Sequence, residues 1–134
     1  MKARHIERLD DLPGQCVRSL RGLNVESLRA WSKDAGQRFV LADLSGCKDK
    51  PSAMRMLGHA FNLPAWFGAN LDALYDSLTD EETWPVDKGA VVVLDPLPYT
   101  ERFGVEERDA LLDVFRDVAD HYAEGGVPFR VFYR

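Results

Sequence analysis

The chain lacks several features that would place it in a membrane or an oxidising compartment. No segment approaches the roughly 20 consecutive apolar residues that a membrane-spanning helix needs, and residues 1–11 contain no apolar core of signal-peptide length. Only two cysteines are present, Cys16 and Cys47, and they have no CxxC spacing, which favours reduced thiols over a disulfide or a zinc site. We therefore expect a cytoplasmic protein with no membrane contact.

Patterns typical of enzymes are also missing. The three histidines are scattered, no serine or cysteine lies in a nucleophile motif, and no glycine-rich phosphate loop is present. Asp72 and Asp76 could in principle form an acid and base pair, but a catalytic site also needs a cleft and orienting groups, and the sequence indicates neither. We expect no catalytic residue, no metal site and no cofactor.

The charge is negative and unevenly distributed. The chain has 134 residues, the usual size of one domain, and a formal net charge of -5, which argues against direct binding of nucleic acid. Residues 1–38 carry eight Lys or Arg against five acids, whereas residues 39–134 carry nine against 17. The acidity therefore belongs to the body of the domain and favours a basic partner.

One region has no basic side chain at all. Between Arg55 and Lys88 there is no Lys or Arg, although six acids fall inside this interval. Two of them, Asp72 and Asp76, lie one turn apart on a predicted helix, where like charges repel by a few tenths of a kcal/mol. A cation supplied by a partner would relieve this repulsion, so the pair predicts a binding site for a basic surface.

Apolar periodicity predicts strands alternating with helices. Strands are expected at residues 16–20, 38–44, 89–94 and 129–133, and the continuous apolar run of the third favours a central position. Helices are expected at 25–35, from about 51 until Pro64, after Asn70, and at 105–124, with Asp49 and Asn70 as N-caps. The first 14 residues are expected to be frayed. This alternation predicts an α/β layered domain with a parallel sheet of three to four strands packed by helices.

The helix after Asn70 has an apolar stripe. Leu71, Leu74, Tyr75 and Leu78 follow the i, i+3, i+4, i+7 spacing and are expected to face the core. The place of Tyr75 on this stripe favours a role in the core.

Residues 63–79 carry a family resemblance. They read Leu-Pro-Ala-Trp-Phe-Gly-Ala-Asn-Leu-Asp-Ala-Leu-Tyr-Asp-Ser-Leu-Thr, and this segment resembles the recognition segment of barstar-type ribonuclease inhibitors. The resemblance continues in the same order of elements over residues 38–134. It implies a single barstar-like domain over residues 1–134, in which residues 1–37 form an N-terminal extension with a strand and a helix.

The resemblance also implies a function. Members of this family plug the active site of a basic, extracellular-type, guanyl-specific ribonuclease, and a monomeric free protein is expected. By resemblance Asp76 enters the phosphate-binding site of the nuclease and Asp72 meets cations at its rim. The implied partner-binding residues are Trp66, Gly68, Asn70, Leu71, Asp72, Tyr75, Asp76, Thr79 and Asp117.

Some alternatives stay open at the level of sequence. The same acidic face could serve an adaptor that binds a basic protein without nuclease activity. Asp117 could be an ordinary charge on a helix surface, and it is one methylene shorter than the glutamate familiar at this position. Trp66 and Phe67 replace a pair of tyrosines, and Tyr75 stands where a tryptophan is familiar, so the range of partners could differ from that of other members.

Overall fold

The computed structural model describes residue 6 and residues 8–64 and 67–134. A short 3-10 helix is followed by four strands and four helices. In chain order they are the 3-10 helix Leu9–Asp11, β1 (Gln15–Ser19), α1 (Val25–Asp34), β2 (Arg38–Ala42), α2 (Lys50–Ala60), α3 (Leu71–Leu78), β3 (Ala90–Leu94), α4 (Val105–Glu124) and β4 (Phe129–Tyr133). The predicted bounds of α4 and β4 are confirmed, and the ends of α1 and of the other strands shift by one or two residues. Helix α2 ends at Ala60, four residues before the Pro64 that was expected to end it.

The four strands form one parallel sheet in the order β1-β4-β3-β2. The register pairs Cys16 with Arg130 between β1 and β4, and Val92 with Val131 between β3 and β4. All five residues of β3 are buried, as the continuous apolar run predicted. The predicted α/β class with a parallel sheet is confirmed, and the number of strands is four.

Side-chain caps begin two of the helices that lead to the acidic region. Ser52 N donates to Asp49 Oδ1 at 3.0 Å, and this hydrogen bond, with a second from the Ser52 hydroxyl, lowers the pKa of the Asp49 carboxyl. Ala73 N donates to Asn70 Oδ1 at 2.8 Å at the start of α3. Both predicted N-caps are confirmed, because each side chain accepts an amide that has no partner inside its helix.

The sheet separates two apolar cores. Side chains alternate along β3, so Val92 and Leu94 face one side and Val91 and Val93 face the other. Helices α2, α3 and α4 pack on the first side and contribute Leu57, Leu74, Leu78 and Phe115. Helix α1 and the 3-10 helix cover the second side. The acidic pair of α3 therefore lies on the face opposite α1.

The expectation that the first 14 residues are frayed is wrong for the described part of this segment. Leu9 and Leu12 are 4% and 5% exposed and belong to the second core. Arg130, which is 3% exposed, donates from Nε to Pro13 O at 2.8 Å. Burial lowers the pKa of this guanidinium. The segment has too few residues for a periodic pattern, so only its tertiary contacts reveal that it is ordered.

The described part of the chain has neither a membrane-spanning helix nor a cluster of metal ligands. It contains no helix that is long and apolar enough to cross a bilayer. It also contains no group of three or more His, Cys, Asp or Glu side chains that could hold a metal ion.

Candidate functional site: an acidic groove between two helices

Helix α3 presents its aspartates because its other side is anchored in the core. Leu74 and Leu78 are completely buried, whereas Asp72 and Asp76 are exposed. Asp72 lies in the first turn, where the helix dipole favours a negative charge. The amphipathic pattern of this eight-residue helix thus decides which side the two carboxylates occupy.

The prediction that Leu71 and Tyr75 face the core needs correction. Both side chains are half-buried: they pack against the first core and also line a groove at the surface. The small Ser77 is buried instead. The side chains of Leu71 and Tyr75 therefore each have one side against the core and one side open to the groove.

The groove lies between α3 and α4 and has a volume of about 660 Å³. Leu71, Asp72, Tyr75 and Asp76 line it from α3. Val114, Asp117, Asp120, His121 and Glu124 line it from α4. Five of these nine side chains are carboxylates, and three of the others, Leu71, Tyr75 and Val114, are largely apolar. The groove therefore offers an apolar floor with an acidic rim, and no Lys or Arg lines it.

Among the described residues, the carboxylates of the groove have no cationic partner. Across the part of the chain that the structure describes, no ion pair or hydrogen bond engages the side chains of Asp72, Asp76, Asp117, Asp120 or Glu124. By contrast, Asp113 on the same helix α4 accepts from Arg116 Nη1 at 2.7 Å. A basic group from outside the chain would meet acids that are not already neutralised.

Tyr122 joins the two helices behind the groove. Its hydroxyl donates to the carbonyl oxygen of Leu78 in the last turn of α3, and its ring stacks on Phe129 at 5.4 Å between centroids. Burial, reinforced by the nearby negative charge of Glu81, raises the pKa of Tyr122 to about 12. The phenol therefore stays protonated and remains a donor, and this bond fixes the end of α3 relative to α4.

The loop before α3 and the residue after it flank the groove. Ala69 has a φ of 52°, and Asn70 Nδ2 donates to Gly68 O at 3.3 Å. At the other end Thr79 Oγ1 donates to Tyr75 O at 2.8 Å. Gly68, Asn70 and Thr79 thus shape the ends of α3 without lining the groove. Trp66 lies outside the described residues.

The structure unites most of the residues singled out in the sequence. Asp117, on α4, lies in the same groove as Asp72 and Asp76. Asp120, His121 and Glu124 were missed, although they follow Asp117 at the spacings of 3, 4 and 7 that define one face of a helix. The signal was present in the sequence, but nothing in it indicated that this face of α4 adjoins α3. The exposed ring of His121 packs edge-on against Tyr122 at 5.1 Å between centroids.

The fold and the groove together define a class of small α/β protein, in which helices packed on a parallel sheet present an acidic concave surface. The family profile described as Barstar (barnase inhibitor) matches residues 37–134. Because this match covers most of the chain, the chain belongs to the Barstar family, and the resemblance carried by residues 63–79 is confirmed. Members of this family are inhibitors of ribonucleases rather than enzymes.

The match leaves the N-terminal elements outside. Strand β1 and helix α1 both precede residue 37, yet β1 pairs with β4 and α1 covers the second core. A comparison with curated proteins finds no significant match.

Proposed function

We propose that this protein inhibits a small, basic, guanyl-specific ribonuclease by placing the carboxylate of Asp76 in the phosphate-binding site of that enzyme. The observation that supports this most directly is the state of Asp76 itself. Its side chain is exposed, lies on a helix anchored by Leu74 and Leu78, and accepts no hydrogen bond from any described residue. An acid held in this way is preorganised to receive donors from another molecule.

The physical basis is mimicry of the substrate. A ribonuclease binds phosphate with cationic side chains, and a carboxylate offers two acceptor oxygens to the same donors in charge-assisted hydrogen bonds. Binding also relieves the repulsion between Asp72 and Asp76, since each would face a cation. No covalent bond is broken, so the nuclease stays inhibited for as long as the complex lasts.

The other residues have supporting roles in this proposal. Asp72 and Asp117 meet Arg or Lys at the rim of the active site, and Tyr75 with Leu71 supplies the apolar contact between them. Gly68 and Asn70 shape the loop before α3, and Thr79 ends the recognition helix. We also propose that the free protein is a monomer in the cytoplasm, where it would protect the producing cell from its own nuclease.

The remaining acids supply long-range attraction. Asp120 and Glu124 extend the negative charge along α4, and the focused field of such a groove accelerates the approach of a basic protein. This acceleration falls with salt, because the Debye length shortens to about 8 Å at physiological ionic strength.

Inhibition of RNA cleavage tests the proposal. Barnase and a panel of small guanyl-specific ribonucleases are titrated with the wild-type chain and with Asp76→Asn, which keeps the shape and removes the charge. A hydrogen bond to a charged group contributes about 1.5–3 kcal/mol, so we expect roughly 10- to 100-fold weaker inhibition by the variant. The association rate constant of the wild type should also fall steeply as salt rises.

The matched control is Asp34→Asn, an exposed aspartate of α1 on the opposite side of the sheet. This variant should inhibit as the wild type does. Asp76→Ala should also leave the free energy of unfolding unchanged or slightly higher, because it removes a repulsion and no hydrogen bond. If the wild type inhibits no nuclease in the panel, or if both variants weaken inhibition equally, the proposal is wrong.

A further inference from the structure

In helix α2 an aromatic ring occupies the space beside a glycine where another residue would have its side chain. A Cβ atom at Gly58 would lie 3.0 Å from Cδ2 and 3.2 Å from Cε2 of Phe67, distances too short for ordinary carbon contacts. Phe67 is half-buried and packs against the first core. The ring therefore lies directly on the backbone of α2, and only glycine at position 58 admits it without a shift.

Gly58 also accepts a hydrogen bond from the chain just after the end of α2. Leu63 N donates to Gly58 O at 2.9 Å, and Asn62 N donates to His59 O at 3.1 Å, with Asn62 at a φ of 55°. These two hydrogen bonds form a Schellman motif, which commonly ends a helix. The segment after α2 is thus folded back over Gly58, first through Leu63 and then through the ring of Phe67.

Glycine is a costly choice at this position unless it has a specific role. Inside a helix glycine is less favourable than alanine, because it loses more conformational freedom when the chain folds. Gly58 lies in the last turn of α2 and has a negative φ, so no conformational demand of the backbone requires it. The close approach of Phe67 is the feature that explains its presence.

Only two residues separate Phe67 from Asn70, the N-cap of α3. Asn70 caps α3 through Ala73 N and also donates to Gly68 O, the residue directly after Phe67. A Cβ atom added at Gly68 would lie 3.4 Å from Cβ of Ala73, so this short connection is itself closely packed. A displacement of the Phe67 ring would therefore move the loop 67–70 and the first turn of α3, which carries Asp72.

We propose that Gly58 is a positioning residue for the recognition helix: it admits the Phe67 ring, and the docked ring sets the loop and the orientation of α3. This inference rests on the proposed function for its consequence on binding, and on the packing alone for its consequence on structure. Gly58 touches no partner in this scheme and acts only through Phe67.

Gly58→Ala tests the inference because a positioning role and a purely structural role of Gly58 predict different results. Alanine favours the helix, so the free energy of unfolding should hold or rise unless the displaced ring offsets the gain. Inhibition should nevertheless become roughly ten-fold weaker, because the displaced Phe67 ring moves the loop 67–70 and with it Asp72. Met56→Ala, at an exposed position of the same helix, is the control and should change inhibition little.

A compensating substitution separates a specific contact from a general disturbance. Phe67→Leu removes the ring atoms that meet the new Cβ, so Gly58→Ala should weaken inhibition much less in the Phe67→Leu background than in the wild type. Equal losses in both backgrounds would overturn the inference.

A second readout does not depend on any nuclease. Amide hydrogen exchange of Ala73, whose N–H is capped by Asn70, should be faster in Gly58→Ala, whereas exchange of Ser52, capped by Asp49, should not change. If the wild type inhibits no nuclease but Ala73 exchanges faster, the proposed function is wrong and the positioning role holds. If inhibition and Ala73 exchange are both unchanged by Gly58→Ala, the positioning role is wrong.

Discussion

Tyr122→Phe should destabilise this protein through the loss of one atom. Tyr122 is 6% exposed, and its hydroxyl donates to the carbonyl oxygen of Leu78, the last residue of α3. Phenylalanine keeps the ring stacked on Phe129 and removes only the donor. The carbonyl of Leu78 would then be left without this partner at the end of a helix packed against α4.

The size of the effect follows from that arrangement. A typical hydrogen bond contributes about 1 kcal/mol net, and a buried carbonyl left unsatisfied costs about 1–3 kcal/mol. We expect a loss of roughly 1–3 kcal/mol, which for a chain of this length lowers Tm by about 3–10 °C.

The loss should also depend on pH. Burial first, and then Glu81, raises the pKa of Tyr122 from 10.0 to about 12. The folded state therefore holds this proton more tightly than the unfolded state. The corresponding stability is fully present below about pH 10 and is lost as the pH rises to about 12. Between these values the wild type should lose stability more steeply than the variant.

Urea unfolding followed by circular dichroism measures both effects, at pH 7 and at intervals above pH 9. Tyr99→Phe is the matched control, because Tyr99 is 72% exposed and its removal should change the free energy of unfolding by less than about 0.5 kcal/mol. The reasoning is refuted if Tyr122→Phe is as stable as the wild type at pH 7, or if the two tyrosine variants have the same pH dependence.

Two further predictions concern the groove. Asn70→Ala and Asn24→Ala each remove an N-cap, and each should lower the free energy of unfolding by about 1 kcal/mol. Only Asn70→Ala should also weaken inhibition of a nuclease, and equal inhibition by both variants would contradict the assignment of α3 as the recognition helix. His121→Glu adds a negative charge to the groove and should raise the association rate constant with barnase several-fold at low salt and little at high salt; an unchanged rate at low salt would place His121 outside the encounter surface.

Local patterns in the sequence predicted much of the fold. The run of apolar residues in β3 and the periodicity of α4 specify their own structure, because burial on both faces or on one stripe leaves a direct mark on residue order. Asp49 and Asn70 were identifiable as caps for the same reason, since a cap satisfies amides of the next few residues. The 3-10 helix was missed because it is held by tertiary contacts: Leu9 is buried in the second core, and Arg130 binds Pro13 just after the helix.

For the candidate site too, some features could be predicted from the sequence and others only appear in the tertiary structure. The unusual pair of Asp72 and Asp76 was visible because its repulsion within one helix turn needs no tertiary knowledge. The contribution of Asp120, His121 and Glu124 was not, because it exists only where α4 runs beside α3. The contact of Phe67 with Gly58 likewise joins a loop to a helix, and no periodic pattern in the sequence predicts such a contact.

By itself, then, the sequence determined the strands and helices, the family, and the acidic helix with its lack of nearby cations. Periodicity, capping and charge spacing act over a few residues and can be read along the chain. The tertiary structure decided that β1 pairs with β4, that Leu71 and Tyr75 line a groove while they pack against the core, and that two helices combine five carboxylates. These features depend on which surfaces meet, and the free energy that selects them comes from burial between segments far apart in the chain.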